Sequence, residues 1–142
     1  MSEAMPDEAE GSKTIRRRVL TEGKMMKILF VENHSTFAGI VTAQFLQGHQ
    51  VTVIPNMADA RKSLSGGEFD VVLVDYDLDD GEGDQLVADI RNKGIPVKVV
   101  AVSSHEHGNS ALMAAGADAA CSKMEFKHIG QTLDSLFKTK AK

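Results

Sequence analysis

Apolar residues along the chain follow two alternating patterns that predict its secondary structure. Five short runs are almost continuously apolar, as strands are when both faces of a sheet are covered. They span residues 27–31, 51–54, 71–74, 97–102 and 117–121. After each run, apolar residues recur at helical spacing, which predicts helices over 35–47, 58–64, 85–91, 109–115 and 126–137. This alternation predicts an α/β domain with a five-stranded parallel sheet and helices on both faces.

The beginning of the chain lacks these patterns. Four acidic residues within positions 3–10 are followed by Lys13 and by three arginines at 16–18, with few apolar residues between them. A segment of this kind buries too little apolar surface to fold by itself. We therefore predict a disordered N-terminal arm over residues 1–24 and one globular domain over residues 25–142.

The composition narrows the classes of protein that fit this pattern. A chain of 142 residues suits one domain, and no apolar run approaches the 18 residues of a membrane span. The net charge of −4 argues against a direct nucleic-acid binder. The N-terminus does not resemble a secretory signal, and the single Cys121 excludes an internal disulfide. We expect a cytoplasmic domain that neither inserts into membranes nor contacts nucleic acid.

Polar residues follow four of the predicted strands at the point where each strand ends. Glu32 and Asn33 follow the first strand, Asp75 follows the third, Ser103 follows the fourth, and Lys123 comes shortly after the fifth. In open parallel sheets, ligands bind beyond the carboxyl ends of the strands. If these four strands are neighbours, the sequence predicts that the five polar side chains meet at one edge of the sheet.

This set of groups suits phosphoryl transfer. A carboxylate such as that of Asp75 can attack phosphorus and become an acyl phosphate. A Mg²⁺ ion between the carboxylates and the phosphoryl oxygens would reduce the repulsion between these anions. Lys123 and Ser103 could then interact with further phosphoryl oxygens, because this reaction depends mainly on positioning and charge stabilisation.

Three motifs give the chain a family resemblance. The motif VVLVDYDLDDGEG at 71–83 is followed by VVAVSS at 99–104 and by SK at 122–123. In order and spacing these motifs resemble the receiver domain of bacterial response regulators, and the similarity covers residues 26–137. The resemblance implies a flavodoxin-like, doubly wound sheet with the strand order 2-1-3-4-5. It also implies a signalling phosphoacceptor rather than an enzyme that turns over a separate substrate.

The resemblance implies a role for each candidate residue. Asp75 would accept a phosphoryl group from a histidine kinase or a phosphotransfer protein, and Ser103 and Lys123 would contact the phosphoryl oxygens. Mg²⁺ would be held by Glu32, Asp75, the main-chain carbonyl of Asp77 and, as a poorer ligand, Asn33. Because the last predicted helix is not followed by an output domain, we expect a stand-alone domain that signals to a downstream target protein by direct contact. A fragment of a larger regulator is an open alternative.

The chain departs from the family pattern at several positions. Asn33 stands where the family has a second acid, which predicts weaker metal binding. Met124 replaces the proline that usually follows the lysine, and Ala120 replaces an aromatic switch residue. These departures keep a second hypothesis open, in which the chain is a pseudo-receiver that binds partners without being phosphorylated.

The sequence of the acidic loop after Asp75 also resembles a calcium-binding loop and a phosphatase motif. An EF-hand calcium loop would need glycine at position 80 and glutamate at position 86, where the chain has Asp80 and Leu86. A haloacid-dehalogenase-type phosphatase would carry the motif on its first strand, and here two strand–helix units precede it. We predict instead that the other loop acids form a solvated face at the start of a helix, with Asp84 as its N-cap; these acids are Asp79, Asp80, Glu82 and Asp84.

Overall fold

The structure, a computed structural model, describes residues 25–137. The predicted arm at 1–24 and residues 138–142 lie outside the described residues. One parallel sheet contains the strands β1 (Lys27–Val31), β2 (Gln50–Ile54), β3 (Val71–Val74), β6 (Lys98–Ala101) and β7 (Ala119–Ala120). Their order is β2-β1-β3-β6-β7. Counting these five strands alone, the order is 2-1-3-4-5, which confirms the predicted fold class.

A short antiparallel hairpin follows β3. Its two strands, β4 (Asp77–Leu78) and β5 (Gly81–Glu82), are joined by a turn at residues 79–80. Gly81 has a φ of 142°, a conformation that side chains rarely adopt. The predicted solvated loop is therefore a defined turn that folds back beside the end of β3.

In the described part of the chain, five α-helices connect or follow the strands. They are α1 (Ser35–Phe45), α2 (Met57–Gly66), α3 (Asp84–Asn92), α4 (Glu106–Ala115) and α5 (Ile129–Phe137). The helix predicted over 126–137 is α-helical only from Ile129, because its first residues belong to a 3-10 segment, Lys123–His128. Within residues 25–137, no helix has both the length and the apolar character required to cross a membrane.

The continuous apolar character of the central strands reflects burial on both faces of the sheet. Successive residues of β1 belong to two separate cores: Leu29 belongs to one and Phe30 to the other. The core containing Leu29 includes residues of α2, α3 and α4, and the core containing Phe30 includes residues of α1 and α5. This three-layer packing fixes the ends of β1 and β3, which carry the candidate site.

Candidate functional site

Three charged side chains meet at the carboxyl ends of β1 and β3. The Nζ atom of Lys123 lies 3.1 Å from both carboxylate oxygens of Glu32 and 3.1 Å from Oδ2 of Asp75. Glu32 and Asp75 are almost fully buried, with exposed fractions of 1% and 2%. A compact cluster of two acids and one amine therefore lies beyond the strand ends.

The main chain holds these residues where the sheet ends. The Glu32 N–H donates to the carbonyl of Ile54 at 3.0 Å, and the Asp75 N–H donates to the carbonyl of Val31 at 3.0 Å. The Lys123 N–H donates to the carbonyl of Ser103 at 3.1 Å. The main chain of each charged residue thus extends the hydrogen bonding between neighbouring strands. The sheet therefore sets the position of each residue.

The charges in this cluster do not balance, since one ammonium group faces two carboxylates. Burial raises the pKa of the Glu32 carboxyl above its usual 4.5, and repulsion from Asp75 adds to this, while Lys123 and the His34 N–H oppose it. Oε1 of Glu32 is buried 3.1 Å from the Lys123 ammonium, and among residues 25–137 it accepts no hydrogen bond in adequate geometry. An under-compensated carboxylate pair with an unpartnered oxygen fits a divalent cation, for which oxygen atoms are the preferred ligands.

An aromatic side chain lies beside the amine of Lys123. The Lys123 ammonium lies 5.0 Å from the centroid of the Phe37 ring, a distance at which a cation is attracted to the ring face. Phe37 packs edge-on against Phe30 and Phe126 in the core below. Lys123 is therefore held between the aromatic core and the two carboxylates.

Ser103 is fully buried at the end of β6 and its backbone is fixed by Asn109. The Ser103 N–H donates to Oδ1 of Asn109 at 2.9 Å, and Nδ2 of Asn109 donates to the Ser103 carbonyl at 3.4 Å. The Ser103 hydroxyl accepts a hydrogen bond of 3.3 Å from the His105 N–H. Within the described part of the chain, it forms no hydrogen bond with Glu32 or Asp75.

Glycine at position 108 leaves room for this serine. A Cβ on Gly108 would overlap the Ser103 hydroxyl and would come within 2.9 Å of the Tyr76 Cβ. The sequence patterns did not identify Gly108 or Asn109 as part of the site. The only sign of them was that a glycine and an amide follow shortly after Ser103.

Asn33 and Asp77 have their side chains engaged outside the charged cluster. Nδ2 of Asn33 donates to Oδ1 of Asp79 at 3.0 Å, while its own buried Oδ1 has no hydrogen-bond partner among the residues that the structure describes. The Asp77 carboxylate is exposed and lies 3.0 Å from Nε2 of His105. The amide oxygen of Asn33 is thus free to act as a neutral ligand, whereas the carboxylate of Asp77 contacts the start of α4.

His34 carries a nitrogen atom close to these acids, and its position in the sequence gave no sign that it could be a ligand. Its Nδ1 lies 3.1 Å from Oε2 of Glu32, and its N–H donates to the same oxygen at 3.1 Å. One ligand atom each from Glu32, His34 and Asp75 lies within 4.8 Å of the others. The potential metal ligands therefore comprise oxygen atoms and an imidazole nitrogen.

Two acids of the hairpin, Asp79 and Asp80, are exposed as predicted and in addition form hydrogen bonds that the sequence did not indicate. The Asp80 carboxylate accepts hydrogen bonds from the N–H groups of Met57 (2.9 Å) and Ala58 (3.0 Å) at the start of α2. The bond from Met57 holds the pKa of Asp80 below its usual 3.8. Asp79 accepts from Asn33, as described above. These hydrogen bonds join residues that are distant in sequence, so a local sequence pattern does not reveal them.

Gly83 lies against the main chain of the candidate phosphoacceptor. Its N–H donates to the carbonyl of Tyr76 at 2.7 Å, and a Cβ at this position would overlap the carbonyl oxygen of Asp75. Gly83 is also the N-cap of α3, and Asp84 is the first residue of that helix. The prediction of Asp84 as the N-cap is therefore wrong, because close packing on Asp75 requires glycine at the cap position.

Solved structures of similar fold come from bacteria and an archaeon. The receiver domain of the Francisella response regulator 1452 is 19% identical, with a TM-score of 0.71 over 80% of this chain and 97% of that one. A CheY-like receiver domain protein from Methanospirillum hungatei JF-1 is 18% identical, with a TM-score of 0.71 over 80% and 94% of the two chains.

A third similar structure is that of the Thermotoga maritima response regulator TrrA in complex with Mg²⁺–BeF. It is 23% identical, with a TM-score of 0.71 over 79% of this chain and 99% of that one. No curated protein sequence matches the chain. The family model of the response regulator receiver domain matches residues 28–132. The chain therefore belongs to the response regulator receiver domain family.

Proposed function

We propose that Asp75 accepts a phosphoryl group from a histidine kinase or a phosphotransfer protein in the cytoplasm. The domain then signals by direct contact with a downstream target protein. The observation that carries this proposal is the buried cluster in which Lys123 lies 3.1 Å from both Asp75 and Glu32. It places a nucleophilic carboxylate beside a cationic group, with a second carboxylate available to hold a metal ion.

In the proposed transfer, a carboxylate oxygen of Asp75 attacks phosphorus. The bond between phosphorus and the donor histidine nitrogen breaks, its electron pair goes to the imidazole, and a bond between phosphorus and the Asp75 oxygen forms. Lys123 stabilises the negative charge on the phosphoryl oxygens, and Ser103 donates a hydrogen bond to them once its hydroxyl turns toward the phosphate. Such positioning and charge stabilisation make up most of the catalysis in phosphoryl transfer.

A Mg²⁺ ion would be held by Glu32, Asp75, the Asp77 carbonyl and the Asn33 amide oxygen. Bound there, it would offset the repulsion between the carboxylates and the incoming phosphoryl group. The buried oxygens Oε1 of Glu32 and Oδ1 of Asn33, which accept no hydrogen bond within the described part of the chain, support this assignment. The Mg²⁺–BeF complex of TrrA, a protein of the same fold, gives it further support.

One observation favours a second function, that of a pseudo-receiver binding partners without phosphorylation. Asn33 provides no charge to the site, and its amide nitrogen is bonded to Asp79. If the remaining ligands bind Mg²⁺ too weakly, Asp75 would stay unmodified and the domain would act only as a protein-binding module.

A beryllofluoride titration separates these two functions. Beryllofluoride with Mg²⁺ imitates a phosphorylated carboxylate, so we expect it to shift the amide NMR signals of Asp75, Ser103 and Lys123 and of their neighbours. The Asp75→Asn variant lacks the carboxylate that would bind the mimic, and its signals at these positions should stay unchanged. A natural chain whose amide signals also stay unchanged would support the pseudo-receiver instead.

A further inference from the structure

We propose that His34 is a metal ligand of this site, and that it gives the site a preference for first-row transition cations such as Co²⁺, Ni²⁺ or Zn²⁺ over Mg²⁺. The inference deepens the proposed function and rests on its cation site. The family resemblance implies metal ligands at Glu32 and Asn33, and His34 is the residue that follows them. The remaining ligands would be Glu32 and Asp75.

The first argument is geometric. The ligand atoms of Glu32, His34 and Asp75 lie within 4.8 Å of one another. Two ligands of one transition ion, each bound at about 2.0–2.2 Å, lie somewhat closer than that. The His34 side chain is 65% exposed, so its ring can make the small rotation required without disturbing the core. Its main chain is already fixed by the hydrogen bond from its N–H to Glu32.

The second argument is independent of the imidazole. Oε1 of Glu32 belongs to a residue that is only 1% exposed and lies 3.1 Å from the Lys123 ammonium, but within the described residues it accepts no hydrogen bond in adequate geometry. The same ammonium group also contacts the other Glu32 oxygen and Asp75, and a buried carboxylate oxygen that lacks a hydrogen-bond donor of its own favours a cation. This oxygen belongs to the same carboxylate that His34 contacts, so an ion bound there could be reached by both residues.

The third argument concerns the chemistry of the ligands. At the strand end the chain carries Asn33 instead of an acid, and Nδ1 of His34 lies 3.1 Å from the Glu32 carboxylate. Imidazole suits zinc, nickel, copper and iron, whereas carboxylate, carbonyl and water oxygens suit magnesium. Exchanging an acidic oxygen for a nitrogen therefore weakens the preference for Mg²⁺ and strengthens that for a transition ion.

The test measures binding of Co²⁺ and of Mg²⁺ separately by calorimetry, using the whole chain. We expect His34→Ala to weaken Co²⁺ binding by at least about tenfold and Mg²⁺ binding by less than about threefold, since magnesium gains little from imidazole. The matched control is His128→Ala, which removes another exposed histidine paired with a glutamate, Glu125, at 3.2 Å. It should leave the affinities for both ions unchanged.

A direct readout of ligation accompanies the affinities. With Zn²⁺, which is diamagnetic, the ring nitrogen signals of His34 should shift at the same concentration at which the amide of Asp75 shifts. The inference is overturned if the His34 ring signals do not move, or if His34→Ala keeps the natural affinity for Co²⁺. If Mg²⁺ still binds and beryllofluoride still shifts Asp75, the proposed function survives that outcome. Loss of all cation binding in the natural chain would contradict both proposals.

Discussion

A Lys123→Met variant is expected to lose about 3–5 kcal/mol of unfolding free energy at neutral pH without metal, the usual cost of breaking a buried ion pair by removing one partner. Lys123 lies 3.1 Å from Glu32 and from Asp75, and its side chain is only 14% exposed. Methionine keeps much of the length and apolar character of the stem. The loss would therefore come from the two carboxylates that remain. Urea unfolding in EDTA measures it.

The dependence of this loss on pH distinguishes electrostatics from packing. Burial and Asp75 already raise the pKa of Glu32 above 4.5, and Lys123 is one of the groups that oppose the rise. Without Lys123, the pKa of Glu32 in the folded state would lie still further above its value in the unfolded chain. Glu32 would then take up a proton in the folded state first, so the stability of the variant should recover as the pH falls toward 4.5. A divalent cation should also restore stability at neutral pH. A packing defect would persist under both conditions.

The control for Lys123→Met is Lys127→Met, which changes an exposed lysine in the same 3-10 segment. It should alter the unfolding free energy by less than about 0.5 kcal/mol, as is usual for surface substitutions. Equal stability of the two variants would contradict the charge arrangement described for the site.

A Gly83→Ala variant is expected to lose about 3 kcal/mol of unfolding free energy, the upper part of the usual range for inserting an atom into a packed region. The added Cβ would overlap the carbonyl oxygen of Asp75 and approach the Val74 side chain to 3.1 Å. Main-chain atoms cannot move aside as a flexible side chain can. The end of β3 should shift, so beryllofluoride affinity should fall together with stability.

Gly39→Ala is the matched control for this substitution. Gly39 lies within α1, and a Cβ there would meet no atom within 4 Å from other parts of the described chain. Alanine is a better helix former than glycine, so this variant should gain about 0.5–1 kcal/mol. If Gly83→Ala were as stable as Gly39→Ala, the close approach between Gly83 and Asp75 would be absent in solution.

The parallel sheet was predictable because burial on both faces leaves a strong signal, whereas its strand order was implied by the family resemblance. The run of four valine and leucine residues at 71–74 has no polar alternation, so it indicated a central strand. The charged cluster was predictable for a related reason: parallel strands bring their carboxyl ends to one edge. Glu32 and Asp75 each come directly after such a strand.

The details around the cluster were not predictable, because they depend on contacts between residues distant in sequence. Asp80 caps α2 across 22–23 positions. The 3-10 segment Lys123–His128 before α5 was also not predicted, because the apolar spacing does not distinguish it from the start of an α-helix. The imidazole of His34 became a candidate ligand only when its distance to Glu32 was known.

The central claim, that Asp75 accepts a phosphoryl group, is tested most directly by mass spectrometry after incubation with acetyl phosphate and Mg²⁺. We expect the natural chain to gain the mass of one phosphoryl group on the peptide that contains Asp75. The Asp75→Ala variant should gain none, and neither should the natural chain in EDTA. An unmodified natural chain, or a variant that is still phosphorylated, would contradict the account.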